Sequence, residues 1–107
     1  MDSDLASIRH YLAEEIQLLT TLKDQSLDET EYRQLTALLN QKKQQFENIL
    51  EAELNQNSEQ YQKALAKLQA SVDAAKLVLQ KLKPMSATLK LATSTLRAVE
   101  TILKIVT

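Results

Sequence analysis

Few residues in this chain have the types and spacing that chemistry requires. His10 is the only histidine, and Glu14 follows it at i+4, so the two can share a metal on one face of a helix. Two ligands fall short of the three or four that a zinc site uses. A di-iron bundle needs a pair of Glu-x-x-His motifs, which one histidine cannot supply. Glu14–Glu15, Glu51 and Glu53 are carboxylates on rod-like segments and read as solvated faces. Without a cleft around them they have no substrate to protonate. No cysteine is present, which removes thiolate ligands, thiol nucleophiles and disulfides. The chain also has no glycine where average usage predicts roughly seven. Phosphate-cradling loops and strained nucleophile turns are disfavoured accordingly. No catalytic residue, cofactor, metal or small-molecule substrate is evident, and the chain reads as a non-enzyme.

The basic residues are the remaining candidates. Lys63, Lys67, Lys76, Lys81 and Lys83 make one segment basic. Nucleic acid is disfavoured as its partner, because only Tyr61 lies nearby to stack a base and the whole chain carries a net charge of −1. Lys90, Arg97 and Lys104 recur every seven residues near the C-terminus and are candidate contacts for a lipid surface or a protein partner. Residues 1–58 hold 11 acidic and 5 basic side chains, a net of −6, and residues 59–107 hold 3 and 8, a net of +5. Each half can therefore attract the other, within one chain or between two.

The elements that must position these residues are helices. Apolar residues recur at threes and fours throughout the chain. The first helix is expected at about 3–24, capped by Asp2, Ser3 or Asp4, with a stripe of Leu5, Ile8, Leu12, Ile16, Leu19 and Leu22. In "LDETEY", Asp28 and Glu31 form a capping box, and Leu27 and Tyr32 form a hydrophobic staple. These residues start a second helix at about 28–55. Its stripe is Tyr32, Leu35, Leu39, Phe46, Ile49, Leu50 and Leu54. Lys42 takes one apolar slot, its stem packing and its head reaching water. Asn55–Gln60 is wholly polar, and Ser58 suits an N-cap. A third helix at about 58–82 carries Tyr61, Leu65, Leu68, Val72, Ala75, Leu79 and Leu82, with alanines that allow close approach. Pro84 ends it. The fourth, about 85–106, carries Met85, Leu89, Ala92, Leu96, Val99, Leu103 and Val106. Leu89, Leu96, Val99 and Leu103 are its expected core.

Two architectures fit this pattern. In one, a single domain over 1–107 is an all-α four-helix bundle built from two helical hairpins. In the other, no glycine or proline interrupts 28–82, which forms one long helix with flanking helices, and two chains pair antiparallel. The last helix is long enough to span a bilayer. Its eight Leu, Ile and Val residues favour insertion by about 2.5–5 kcal/mol, whereas Arg97 and Glu100 near its middle cost about 5–7 kcal/mol. A span loses on these numbers, and packing against sibling helices is the expected use of its apolar face.

The acidic start, "MDSDLASIRH", lacks the basic-then-apolar order of a secretory signal, so a cytoplasmic protein, free or peripheral to a membrane, is expected. The expected function is a non-catalytic helical protein-interaction module, an adaptor, assembly or regulatory factor with a protein partner or a second copy of itself. The alternative is a membrane-active bundle whose C-terminal amphipathic helix engages anionic lipid.

Overall fold

A computed structural model describes residues 7–52 and 58–106 of the chain, and the side chains of 105 and 106 lie outside that description. The expectations placed on Asp2, Ser3, Asp4, Leu5, Leu54 and Val106 therefore fall outside it too. Four helices follow one another: α1 (Ile8–Gln25), α2 (Glu29–Glu51), α3 (Glu59–Leu79) and α4 (Met85–Val106).

Local chemistry sets most of these bounds. The Ser7 side chain caps α1, accepting the His10 N–H at 3.2 Å. Asp28 caps α2 by accepting the Glu31 N–H at 2.9 Å, as the capping box requires. The expected staple does not form, because Leu27 is fully solvent-exposed. Tyr32 instead lies under the Lys23 ammonium, 5.5 Å from its ring centre. The single long middle helix is also corrected. Ala52 has extended backbone (φ −94, ψ 146), and Ser58 accepts the Tyr61 N–H at 3.1 Å to start a new helix. α3 stops at Leu79, short of the expected 82. Lys81 takes a left-handed φ of 64. Its N–H bonds the Val78 carbonyl, and the Leu82 N–H reaches back to the Leu77 carbonyl. This pair of bonds is a Schellman stop, with lysine where glycine is usual. Leu82 consequently leaves the apolar stripe and is exposed, as are Tyr32 and Leu50 at the two ends of the α2 stripe.

The helices pack as a four-membered ring measuring 39 × 25 × 19 Å. α1 touches α2 and α3, and α4 touches α2 and α3, so α1 lies diagonally across from α4, and α2 from α3. The two hairpins, α1–α2 and α3–α4, are joined across a diagonal. The seven residues from 52 to 58 can reach about 23 Å, more than the diagonal of helices packed 8–10 Å apart.

Each helix buries a seven-residue repeat of the coiled-coil type. In α1 the buried line is Ile8, Leu12, Glu15, Leu19 and Leu22. In α4 it is Thr88, Ala92, Thr95, Val99 and Ile102. One apolar cluster gathers Ile8, Leu12, Ile49, Tyr61, Leu68 and Val99. A second, at the end carrying the two short turns, gathers Leu19, Leu22, Leu35, Leu39, Ala75 and Ala92. A fully buried leucine such as Leu68 contributes about 1.5–3 kcal/mol.

Candidate functional site

Between the two apolar clusters lies a polar layer to which every helix contributes one residue: Glu15 from α1, Lys42 from α2, Ser71 from α3 and Thr95 from α4. All four are fully buried. The Lys42 ammonium sits 2.8 Å from Glu15 Oε1 and donates to Thr95 Oγ1 at 2.7 Å. Glu15 Oε2 accepts from the Ser71 hydroxyl and lies 2.8 Å from Thr95 Oγ1. Thr95 Oγ1 is also 2.9 Å from the Ala92 carbonyl, so its single proton is shared between two acceptors. Burial pushes the Lys42 pKa below the ordinary lysine value, and the adjacent Glu15 carboxylate partly opposes that shift.

This layer corrects two expectations. Glu15 is not a solvated face residue, and the Lys42 head does not reach water. Each falls in the buried seven-residue repeat of its helix, where a partner lies within ion-pair distance. Chemically, the layer holds a carboxylate, an ammonium and two hydroxyls within hydrogen-bonding distance, the ingredients of acid–base work. Apolar clusters seal it on both sides, so a substrate would have to part the helices to reach it.

Of the other candidate residues, His10 and Glu51 lie on the surface, Glu14 is half-buried, and Glu53 falls outside the described residues. His10 Nε2 is 4.0 Å from Glu14 Oε1, and its ring meets Tyr11 edge-on. Glu14 also pairs with Lys76 of α3 at 3.3 Å, one ionic link between the acidic and basic hairpins. Among the described residues no group of three or more His, Asp or Glu side chains is placed to hold a metal. Tyr61 is buried rather than free to stack, and its hydroxyl accepts the Ile8 N–H at 3.2 Å, satisfying a backbone donor at the start of α1.

On α4, Val99 is fully buried, whereas Leu89, Leu96 and Leu103 are half-buried along one flank. Leu89 and Leu96 pack on the cluster near the short turns and Leu103 on the other. The smaller Thr88, Ala92 and Thr95 take the fully buried centre line. Lys90, Arg97 and Lys104 are all exposed, but the packing divides them. Lys90 and Arg97 line the groove between α4 and α3, together with Lys67, Thr93 and Ser94. Lys104 lines the groove between α4 and α2, together with Glu100. A helix drifts about 20° per heptad, and the two heptads from Lys90 to Lys104 carry the row round toward α2.

The α2–α4 groove is an open cleft. Gln41, Gln44, Gln45 and Asn48 line its α2 side, and Leu96 and Leu103 lie on its α4 side. Gln45 donates through Nε2 to the Leu96 carbonyl at 2.8 Å, which fixes the orientation of its amide. Its Oε1 is buried and accepts no hydrogen bond. Neither Gln45 nor this cleft was singled out from the sequence. The available signal was a glutamine in the buried register of α2, between Lys42 and Ile49. No helix among the described residues is long and apolar enough to cross a membrane. Comparison of the chain with protein-family models, with curated proteins and with solved structures finds no match.

Proposed function

We propose that this protein is a non-catalytic helical interaction module that receives a polypeptide segment of a protein partner in the α2–α4 cleft. The observation that carries this reading is an open groove that sets the exposed side-chain amides of Gln41, Gln44 and Asn48 beside half-buried Leu96 and Leu103. A bound segment pairs its backbone with the exposed amides of Gln41, Gln44 and Asn48, while its apolar side chains cover Leu96 and Leu103. Amides suit such a task because each offers both donors and acceptors to a peptide backbone.

The test is a photo-crosslinking residue placed at Gln44, with a second at Glu29, outside the cleft, as control. A discrete adduct from position 44 alone, lost when Asn48→Arg fills the groove, is the expected result. Equal adducts from both positions, or adducts unaffected by Asn48→Arg, would refute the reading. So would steady substrate turnover that a single side-chain change abolishes.

Lipid engagement by α4 is the second reading, favoured by exposed Lys90, Arg97 and Lys104. It requires Val99 and Ile102 to leave the core and Thr95 to give up its bonds to Lys42 and Glu15. Flotation with anionic vesicles tests it. Binding must vanish in the Lys90→Glu/Arg97→Glu/Lys104→Glu variant, and binding that persists there excludes this use of α4.

A further inference from the structure

The α3–α4 groove brings Lys67 of one helix opposite Lys90 and Arg97 of the other. All three side chains are exposed, and none has an ionic partner among the described residues, although Lys63 and Lys76 nearby on α3 are taken up by Glu59 and Glu14. No carboxylate lines this groove, because Glu100 lies in the α2–α4 groove on the other side of α4. Lys90 and Arg97 are two helical turns apart, about 10 Å along the axis. Their long side chains can close from both directions on Ser94, which lines the groove between them. The Ser94 hydroxyl makes no hydrogen bond among the described residues, whereas that of Thr93 is committed to the Leu89 carbonyl.

Three like charges facing one groove repel each other in a chain whose net charge is only −1. An anion in the groove reverses that repulsion. A single carboxylate offers one charge and two oxygens. A phosphomonoester offers up to two charges and three terminal oxygens, enough for two ammonium groups and an arginine fork to bind together.

We propose that the α3–α4 groove is a binding site for a phosphomonoester, held by Lys67, Lys90 and Arg97 with the Ser94 hydroxyl as a fourth donor. The site is separate from the α2–α4 cleft, so either assignment can fail without the other. The same headgroup chemistry occurs free in solution and on a lipid, and the test distinguishes the two.

The full chain, labelled with 15N, is titrated with glycerol 1-phosphate at constant ionic strength. In parallel it is floated with vesicles containing phosphatidic acid, and with vesicles containing phosphatidylglycerol, whose phosphate is a diester. Saturable shifts of the Ser94 and Arg97 amides with glycerol 1-phosphate are expected. Binding should weaken about tenfold or more in Lys67→Gln/Lys90→Gln/Arg97→Gln. It should stay within about twofold of the original in Lys63→Gln/Lys81→Gln/Lys83→Gln, which removes the same charge elsewhere. Glutamine forms helix about as well as lysine, and circular dichroism checks that both variants fold. Binding to phosphatidic acid vesicles alone, with the same dependence on the three residues, assigns the site to a lipid headgroup. The proposal is overturned if neither phosphomonoester binds saturably, if both triple variants lose binding equally, if phosphatidylglycerol binds as well as phosphatidic acid, or if a glutamate-rich peptide binds as tightly as the phosphomonoester.

Discussion

Cutting the buried pair one partner at a time should show how much of the stability passes through the polar layer. Lys42 and Glu15 are fully buried and 2.8 Å apart. Removing either partner leaves the other charge inside the bundle, and such losses cost about 3–5 kcal/mol. The stranded group can escape by neutralising, which sets a ceiling. At pH 7 an ordinary lysine neutralises for about 4.6 kcal/mol and an ordinary glutamate for about 3.7 kcal/mol. After Lys42→Met the carboxylate still has hydroxyl donors in Ser71 and Thr95. After Glu15→Leu the ammonium keeps only the Thr95 oxygen among the partners described above. The predicted order is therefore Glu15→Leu costing about 4–4.6 kcal/mol and Lys42→Met about 3 kcal/mol. The double variant removes both charges and is expected to lie within about 1 kcal/mol of the original protein or above it. Urea unfolding followed by circular dichroism measures all three. Against a total stability of about 5–15 kcal/mol, either single change lowers Tm by roughly 10 °C or more. Single losses below about 1 kcal/mol that simply add in the double variant would refute the buried pair.

Four further outcomes are expected. Because burial lowers the native Lys42 pKa below 10.5, the unfolded chain binds more protons between that lowered value and 10.5. Stability attributable to Lys42 then rises with pH across that window and levels off above it. Urea midpoints of the original protein and Lys42→Met, compared between pH 7 and 10.5, should show the rise only in the original, and parallel curves would contradict the shift. Leu68→Ala, at a fully buried position, should cost about 2–5 kcal/mol, and Leu96→Ala, at a half-buried flank, distinctly less; the reverse order in urea melts would mean the α4 register is wrong. Lys81→Gly should stabilise by about 0.5–1 kcal/mol, since glycine takes the left-handed conformation without a Cβ penalty; a lower urea midpoint would argue against that turn. Replacing the whole layer, as Glu15→Leu/Lys42→Met/Ser71→Ala/Thr95→Val, should leave a stable helical protein with more than one packing arrangement, visible as doubled NMR resonances. A single native set of contacts between the hairpins would show that the layer is dispensable for choosing the fold.

The helices were legible because their signals are local. Period and the Asp28 and Ser58 caps each act within one turn of the residues they govern. The stripe of α4 was legible only in part. It has several apolar rows, and hydropathy favours the one with most leucine. Packing puts Thr88, Ala92 and Thr95 at the centre and leaves Leu89, Leu96 and Leu103 half-buried beside them. The buried charges were illegible for a related reason. A lysine or glutamate in a stripe ordinarily reaches water, and only knowing that Glu15 and Lys42 lie side by side makes burial tolerable. The basic groove was half visible: Lys90 and Arg97 stood in one row, but Lys67 comes from another helix. The packing of α4 between α2 and α3 decides that Lys104 and Glu100 belong to the other groove.

The same geometry suggests why a core would keep an ion pair that apolar residues could replace. Short turns fix the register inside each hairpin, at residues 26–28 between α1 and α2 and residues 80–84 between α3 and α4. The link between the hairpins, from residue 52 to residue 58, is longer than either turn. The apolar clusters above and below the layer repeat every seven residues, so sliding one hairpin by a heptad would still place leucine, valine or alanine against leucine. The layer does not tolerate that slide. The bonds from Ser71 and Thr95 to Glu15, and from Lys42 to Thr95, all run between hairpins. A slip of α4 by seven residues in one direction would bring Val or Ile methyls, and no hydroxyl, near the buried carboxylate. Slipping the other way would offer Thr88, but α3 would move with it and Ser71 would be lost. The polar residues penalise wrong registers more than they stabilise the right one, which is the best-attested use of buried polar groups in helical assemblies.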